Sequence, residues 1–119
     1  MSMRELDSLD ALDAALAASA SRPVVLFKHS RTCGTSAQAY DEVTTLLDDD
    51  GLGADVYVVP VQTSRGVSNA IASRFQVRHE SPQVFVVHDG HVAWHASHFR
   101  VTAEAIARAV GSVAQPARS

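Results

Sequence analysis

The chain has 119 residues, of which 46% are hydrophobic and 19% are charged, and its formal net charge is -3. This length fits one domain, residues 1–119 with a polar tail at about 114–119, whose core needs no disulfide or structural metal. The charge gives no reason to expect nucleic acid as a partner. No apolar run approaches the roughly 20 residues of a membrane-spanning helix. The acidic N-terminus lacks the features of a signal peptide, and one cysteine allows no internal disulfide, so we expect a cytoplasmic protein without a membrane partner.

The N-terminal region predicts a helix followed by a buried strand. Between residues 5 and 20, one helical face carries four leucines: Leu6, Leu9, Leu12 and Leu16. Ser21-Arg22-Pro23 ends this helix. The apolar run from Val24 to Phe27 is typical of a buried strand, which we expect to extend from about Val24 to His29.

A second helix is predicted to begin within two or three residues of Cys33. Thr35 and Gln38 match the S/T-x-x-Q capping box, and the glycine of Asp50-Gly51 suits a helix end. The apolar residues that follow Cys33 recur at helical spacing: Ala37, Tyr40, Val43, Leu46 and Leu47.

The remaining residues predict two more helices and three strands. The first two are a strand from Ala54 to Val61 and a short helix between Ser64 and Phe75. Two strands follow, Gln83–His88 and His91–Ala96, joined by a type I′ turn at Asp89-Gly90. The last element is a helix that Thr102 caps and that ends before Gly111. The first two strands should be parallel and the hairpin pair antiparallel. We therefore expect an α/β fold that is thioredoxin-like, with a four-stranded mixed sheet, helices on both faces and an extra N-terminal helix.

Cys33 is the candidate nucleophile. At a helix N-terminus, unpaired N–H groups and the helix dipole stabilise a thiolate relative to a thiol. In Cys33-Gly34-Thr35-Ser36, a serine stands where a C-x-x-C motif has its second thiol, so a mixed disulfide on Cys33 would need an external thiol for release. The alternative is a buried, inert cysteine, against which the polar neighbours of Cys33 argue.

Three separate motifs carry a resemblance to a known family. They are Phe27-Lys28-His29-Ser30 with Thr32-Cys33, then His79-Glu80-Ser81-Pro82-Gln83-Val84, then Asp89-Gly90 with Trp94-His95-Ala96-Ser97-His98. Together they resemble the monothiol bacilliredoxin family of the bacillithiol system, over roughly Pro23 to Thr102. The chain departs from the family pattern at Gly34, where a proline is usual.

The resemblance implies a thiol-disulfide oxidoreductase that removes bacillithiol from protein mixed disulfides formed under oxidative stress. Cys33 would take the bacillithiol, and a second low-molecular-weight thiol would resolve it. The implied partners are bacillithiolated client proteins and a separate flavin disulfide reductase. Bacillithiol is then a co-substrate, and no tightly bound cofactor is expected. By the same similarity, Pro82 is expected to be a cis-proline facing Cys33, and the Ser81 backbone to pair with the amide of the bound thiol.

Several other residues are weaker candidates. Thr32, Gly34, Thr35 and Ser36 should support the thiolate, whereas Arg31, Lys28 and His79 are candidates for binding the carboxylates of bacillithiol. An ordinary surface charge is the competing interpretation of each basic side chain. No metal is expected, because His91, His95 and His98 do not share one strand face. The alternative function is a carrier that binds an iron–sulfur cluster between two chains, as in monothiol glutaredoxins.

Overall fold

A computed structural model describes residues 3–30, 34–48 and 52–114, apart from the side chains of Thr35 and Ala114. In this part of the chain, four α-helices surround a mixed five-stranded sheet. In chain order the elements are β1 (Arg4–Glu5), α1 (Leu9–Ala18), β2 (Val24–His29), α2 (Gly34–Leu46), β3 (Asp55–Pro60), α3 (Arg65–Phe75), β4 (Gln83–His88), β5 (His91–Ser97), a 3₁₀ helix (His98–Arg100) and α4 (Ala103–Ala114).

The sheet has the strand order β1-β3-β2-β4-β5, so β2 lies at its centre. β2 pairs with β3 in parallel and with β4 antiparallel, and β4 pairs antiparallel with β5. Alternate residues of β2 enter separate cores on the two faces of the sheet. Val25 and Phe27 pack with α2 and α4, whereas Val24 and Leu26 pack with α1 and α3. A strand buried on both faces explains the unbroken apolar run of β2.

Two local signals in the sequence are confirmed. Asp89 and Gly90 have φ angles of 53° and 77°, the left-handed pair that a type I′ hairpin turn needs. The N–H of Ala105 donates to Thr102 Oγ1 at 3.2 Å, so Thr102 caps α4 as predicted.

The main differences from the sequence predictions concern β1, α1, α2 and α4. A fifth strand, β1, pairs in parallel with β3, and Leu6 follows this strand instead of lying on α1. α1 begins only after Ser8, whose Oγ accepts from the N–H of Ala11. α2 already includes Gly34, so Thr35 lies within the first turn and is not the cap. α4 continues through Gly111, because a glycine costs a helix only about 1 kcal/mol and the apolar face continues to Val113.

Within residues 3–30, 34–48 and 52–114, no helix has the length and apolar character needed to cross a bilayer.

Candidate functional site

The candidate site lies where the C-terminal ends of the parallel strands β2 and β3 meet the start of α2. The N–H of Val61 donates to the carbonyl of His29 at 3.0 Å, and Gln62 Nε2 donates to Ser30 Oγ at 2.8 Å. Three predicted site residues, Arg31, Thr32 and Cys33, lie outside the described residues, as does the side chain of Thr35. Gly34, which follows Cys33 in the sequence, is the first residue of α2 and is exposed.

Ser36 joins the end of β2 to the first turn of α2. Its side chain is fully buried, and Ser36 Oγ accepts a hydrogen bond from the N–H of Ser30 at 3.2 Å. Ser36 therefore has a structural partner at the end of β2, and Ser30 and Ser36 stand three residues before and three residues after Cys33 in the sequence.

Ser36→Ala is expected to lower the free energy of unfolding by about 1–2 kcal/mol, because the Ser30 N–H loses its buried acceptor. Turnover at 25 °C should stay within about twofold of the wild type, since a hydroxyl at position 36 has no redox role. Urea unfolding and a thiol-release assay measure the two quantities. Ser112→Ala, at an exposed position of α4, is the matched control. A large loss of turnover with unchanged stability would contradict this interpretation of Ser36.

Pro82 lies at the same edge of the sheet. Gln83 is in register with Lys28, so Pro82 lies one residue beyond that pair, level with the end of β2. The Ser81–Pro82 peptide bond is cis, as the family resemblance implied. The Oγ of Ser81 is buried and has no hydrogen-bond partner in the described part of the chain. Whether Pro82 faces Cys33 stays a prediction, because Cys33 lies outside the described residues.

The loop that leads to Pro82 is held from two sides. On the side of β4, the buried side chain of Gln83 donates through Nε2 to the carbonyl of Arg78 at 3.0 Å. From β5, Ser97 Oγ donates to Glu80 at 2.7 Å, and His98 Nε2 lies 3.3 Å from the other oxygen of this carboxylate. The hydroxyl of Ser97 is the main cause that lowers the pKa of Glu80. Glu80 is thus a charged acceptor that fixes the loop, a role that the sequence did not indicate.

Lys28 is the only lysine in the chain, and it is fully buried. Its Nζ lies 3.2 Å from Nδ1 of His79 and 5.7 Å from the centre of the Phe85 ring. The interpretation of Lys28 as a surface charge is therefore wrong. Burial disfavours the charged amine and lowers the pKa of Lys28 from 10.5 to about 8.

His79 lies between the buried amine of Lys28 and solvent. An ammonium has only donors, so Nδ1 of His79 accepts from Lys28, and Ser68 Oγ lies 3.3 Å from the same nitrogen. Burial and the neighbouring Lys28 charge both lower the pKa of His79, although Glu80 opposes them. His79 is then neutral at pH 7, with its proton on Nε2, where it serves as a donor.

A cavity of about 270 Å³ opens beside His79. It is lined by Val61, Gln62, Arg65, Ser68, Asn69 and His79. Only His79 among these was a candidate from sequence. A usable signal was the parallel pairing of the first two strands, because the residues that follow β3 must then lie beside those that follow β2.

The opposite face of β2 carries His29. Its ring centre lies 4.9 Å from that of Tyr40 on α2 and 5.7 Å from that of Phe27. Lys28 and His29 thus enter different layers, as strand alternation predicts. In the described ranges, no group of three His, Cys, Asp or Glu side chains is arranged to hold a metal ion.

Comparisons with known proteins agree with this fold. A family model described as "Monothiol bacilliredoxin BrxC" matches residues 4–106. A solved structure described as a candidate oxidoreductase with a thioredoxin fold is 33% identical, with a TM-score of 0.81, covering 90% of this chain and 92% of that one. The thioredoxin of Malassezia sympodialis is 13% identical with a TM-score of 0.75, over 93% and 90% of the two chains. Fasciola hepatica thioredoxin is 16% identical with a TM-score of 0.72, over 92% of this chain and 98% of that one. The thioredoxin-like fold is confirmed, with five strands in place of four.

Proposed function

Because the chain belongs to the monothiol bacilliredoxin family and has the thioredoxin fold of a thiol redox protein, we propose that it is a monothiol thiol-disulfide oxidoreductase that removes bacillithiol from proteins. The observation that carries this proposal is the residue at position 36. A dithiol enzyme has its resolving thiol there, whereas this chain has a serine whose hydroxyl is buried against the end of β2. Since Cys33 is the sole cysteine, resolution within the chain is excluded.

The proposed reaction has two exchange steps. The Cys33 thiolate attacks the bacillithiol sulfur of the mixed disulfide; the Cys33–bacillithiol bond forms, and the client leaves as a thiolate that takes up a proton. A second bacillithiol thiolate then attacks the bacillithiol sulfur on Cys33 and regenerates the Cys33 thiolate. The net reaction converts one mixed disulfide and one bacillithiol into one client thiol and one bacillithiol disulfide.

The start of α2 supports this chemistry at Cys33. Gly34 is the first residue of a 13-residue helix, and the preceding residue is the cysteine. Unpaired N–H groups and the dipole at a helix start favour an anion, which lowers the pKa of a thiol at that position. The proposed partners are bacillithiolated clients and a flavin enzyme that reduces bacillithiol disulfide. We place this exchange in the cytoplasm, where thiols are kept reduced.

Intact-mass measurement tests the proposal. The reduced chain, mixed with bacillithiol disulfide, should gain the mass of one bacillithiol at Cys33 and lose it again with excess bacillithiol. A colourless, unmodified chain would contradict the proposal. Visible absorbance and dimerisation after anaerobic reconstitution with iron and sulfide would instead support the cluster-carrier alternative.

A further inference from the structure

The cavity beside His79 lies next to the end of β2, which precedes the proposed nucleophile in the sequence. Gln62, in the cavity wall, donates to Ser30 Oγ at 2.8 Å, and Ser30 precedes Cys33 by three residues in the sequence. Val61, also in the wall, bonds through its N–H to the carbonyl of His29. The cavity wall is therefore bonded to the two residues that end β2 and lead, along the chain, to Cys33.

The polar groups of the cavity wall favour an anion. Arg65, Asn69 and His79 are exposed and supply donors, and no carboxylate of the described residues lines the wall. Arg65 forms no ion pair with any described residue, in contrast to Arg22, Arg74 and Arg108. Its guanidinium is thus available for a carboxylate, which it can bind through two parallel hydrogen bonds.

His79 is held in place as a neutral donor. Lys28 Nζ and Ser68 Oγ both approach Nδ1, at 3.2 and 3.3 Å, so the remaining ring proton is on Nε2. The buried Lys28 ammonium also adds positive potential behind the ring, where little water screens it. The wall therefore combines the exposed cation of Arg65 and the donor Nε2 of His79, with the buried charge of Lys28 behind the His79 ring.

We propose that this cavity is the subsite for a carboxylate of the low-molecular-weight thiol, with Arg65 as its charged anchor and His79 as its orienting donor. The inference rests on the proposed function and names the chemical feature that the site selects. Binding of the carboxylate at Arg65 positions the thiol's sulfur for exchange at the segment that contains Cys33. An uncharged small thiol lacks this contact.

The test compares three mixed disulfides of one peptide, made with bacillithiol, with glutathione and with 2-mercaptoethanol. Arg65→Gln should raise KM about tenfold for the carboxylate-bearing disulfide that the wild type prefers and leave the 2-mercaptoethanol disulfide within twofold, since a hydrogen-bonded charge is lost. Arg65→Lys should keep KM within about threefold of the wild-type value for both the carboxylate-bearing disulfide and the 2-mercaptoethanol disulfide. Arg108→Gln, at an exposed position of α4, is the control. Comparison of bacillithiol with glutathione identifies the source of the carboxylate.

An equal rise in KM for all three mixed disulfides, or no rise for any of them, would overturn the subsite. A binding measurement keeps the test independent of turnover. S-methylbacillithiol, which has no free thiol, should shift the Arg65 and Asn69 amide resonances of the ¹⁵N-labelled wild type, whereas at the same concentration the Asn69 resonance of Arg65→Gln should not shift. Absence of these shifts overturns the subsite. A wild type that releases no thiol yet shows them retains the subsite and refutes the proposed reaction.

Discussion

Replacement of Cys33 by serine is expected to abolish release of bacillithiol from a mixed-disulfide peptide, with a loss of roughly a thousandfold or more, as when an essential nucleophile is removed. A hydroxyl is a far weaker nucleophile than a thiolate and forms no disulfide. The chain has no second cysteine to substitute for it. The rate at which the reduced peptide forms, with the peptide separated from bacillithiol by liquid chromatography, measures the effect.

The loss of activity can be assigned to the missing thiol only if the Cys33→Ser variant keeps the wild-type fold. Serine is close to cysteine in size, so the circular dichroism spectrum should be unchanged. Retention of even a tenth of the wild-type rate would mean that the exchange does not pass through Cys33.

Lys28→Met is expected to remove a pH-dependent part of the stability. In the folded chain, burial lowers the pKa of Lys28 to about 8, whereas in the unfolded chain an exposed lysine has a pKa of about 10.4. Below pH 8 both states hold the proton, and folding carries the full cost of burying the charge. Between pH 8 and about 10.4 the unfolded chain holds more protons, so the free energy of unfolding rises with pH by up to about 3 kcal/mol.

Methionine has a similar length and no charge, so the variant lacks this rise. At pH 7 it should be more stable than the wild type by about 1–2 kcal/mol, since replacement of a buried charge by an apolar side chain is often stabilising. The difference should shrink and reverse towards pH 10. Urea unfolding of both proteins from pH 7 to 10 measures the stability difference.

Lys28 also allows a direct check. Because it is the only lysine, its ¹³Cε resonance is assigned without further experiments and reports its pKa. A midpoint near 10.4, or a stability difference that is the same at every pH, would contradict the buried-charge interpretation.

The sequence predicted the central strands well, for a physical reason. β2 and β4 are buried on both faces, so their apolar runs leave little ambiguity, and the hairpin turn is determined by Asp89-Gly90. β1 was missed because two residues are too few to show a periodicity of two. Leu6 matches the helical spacing of α1 and yet packs in the core after β1.

The site was predicted less completely than the fold. A motif indicates the junction before α2 and the cis-proline, because both are properties of a few consecutive residues. The burial of Lys28 depends instead on His79 and Phe85, which are more than fifty residues away. Charged residues are normally exposed, so the usual expectation for Lys28 failed. The residues of the cavity wall are likewise brought beside the end of β2 only by the parallel pairing of β2 and β3.

The central claim is that this chain exchanges a small thiol on protein disulfides, and that the thiol is bacillithiol. One peptide, offered as its bacillithiol or its glutathione mixed disulfide with the matching free thiol in excess, tests it most directly. The account predicts faster release of the peptide thiol from the bacillithiol disulfide, through an intermediate that carries one bacillithiol on Cys33. Faster release from the glutathione disulfide would contradict the assignment of the thiol, and release from neither would contradict the proposed activity.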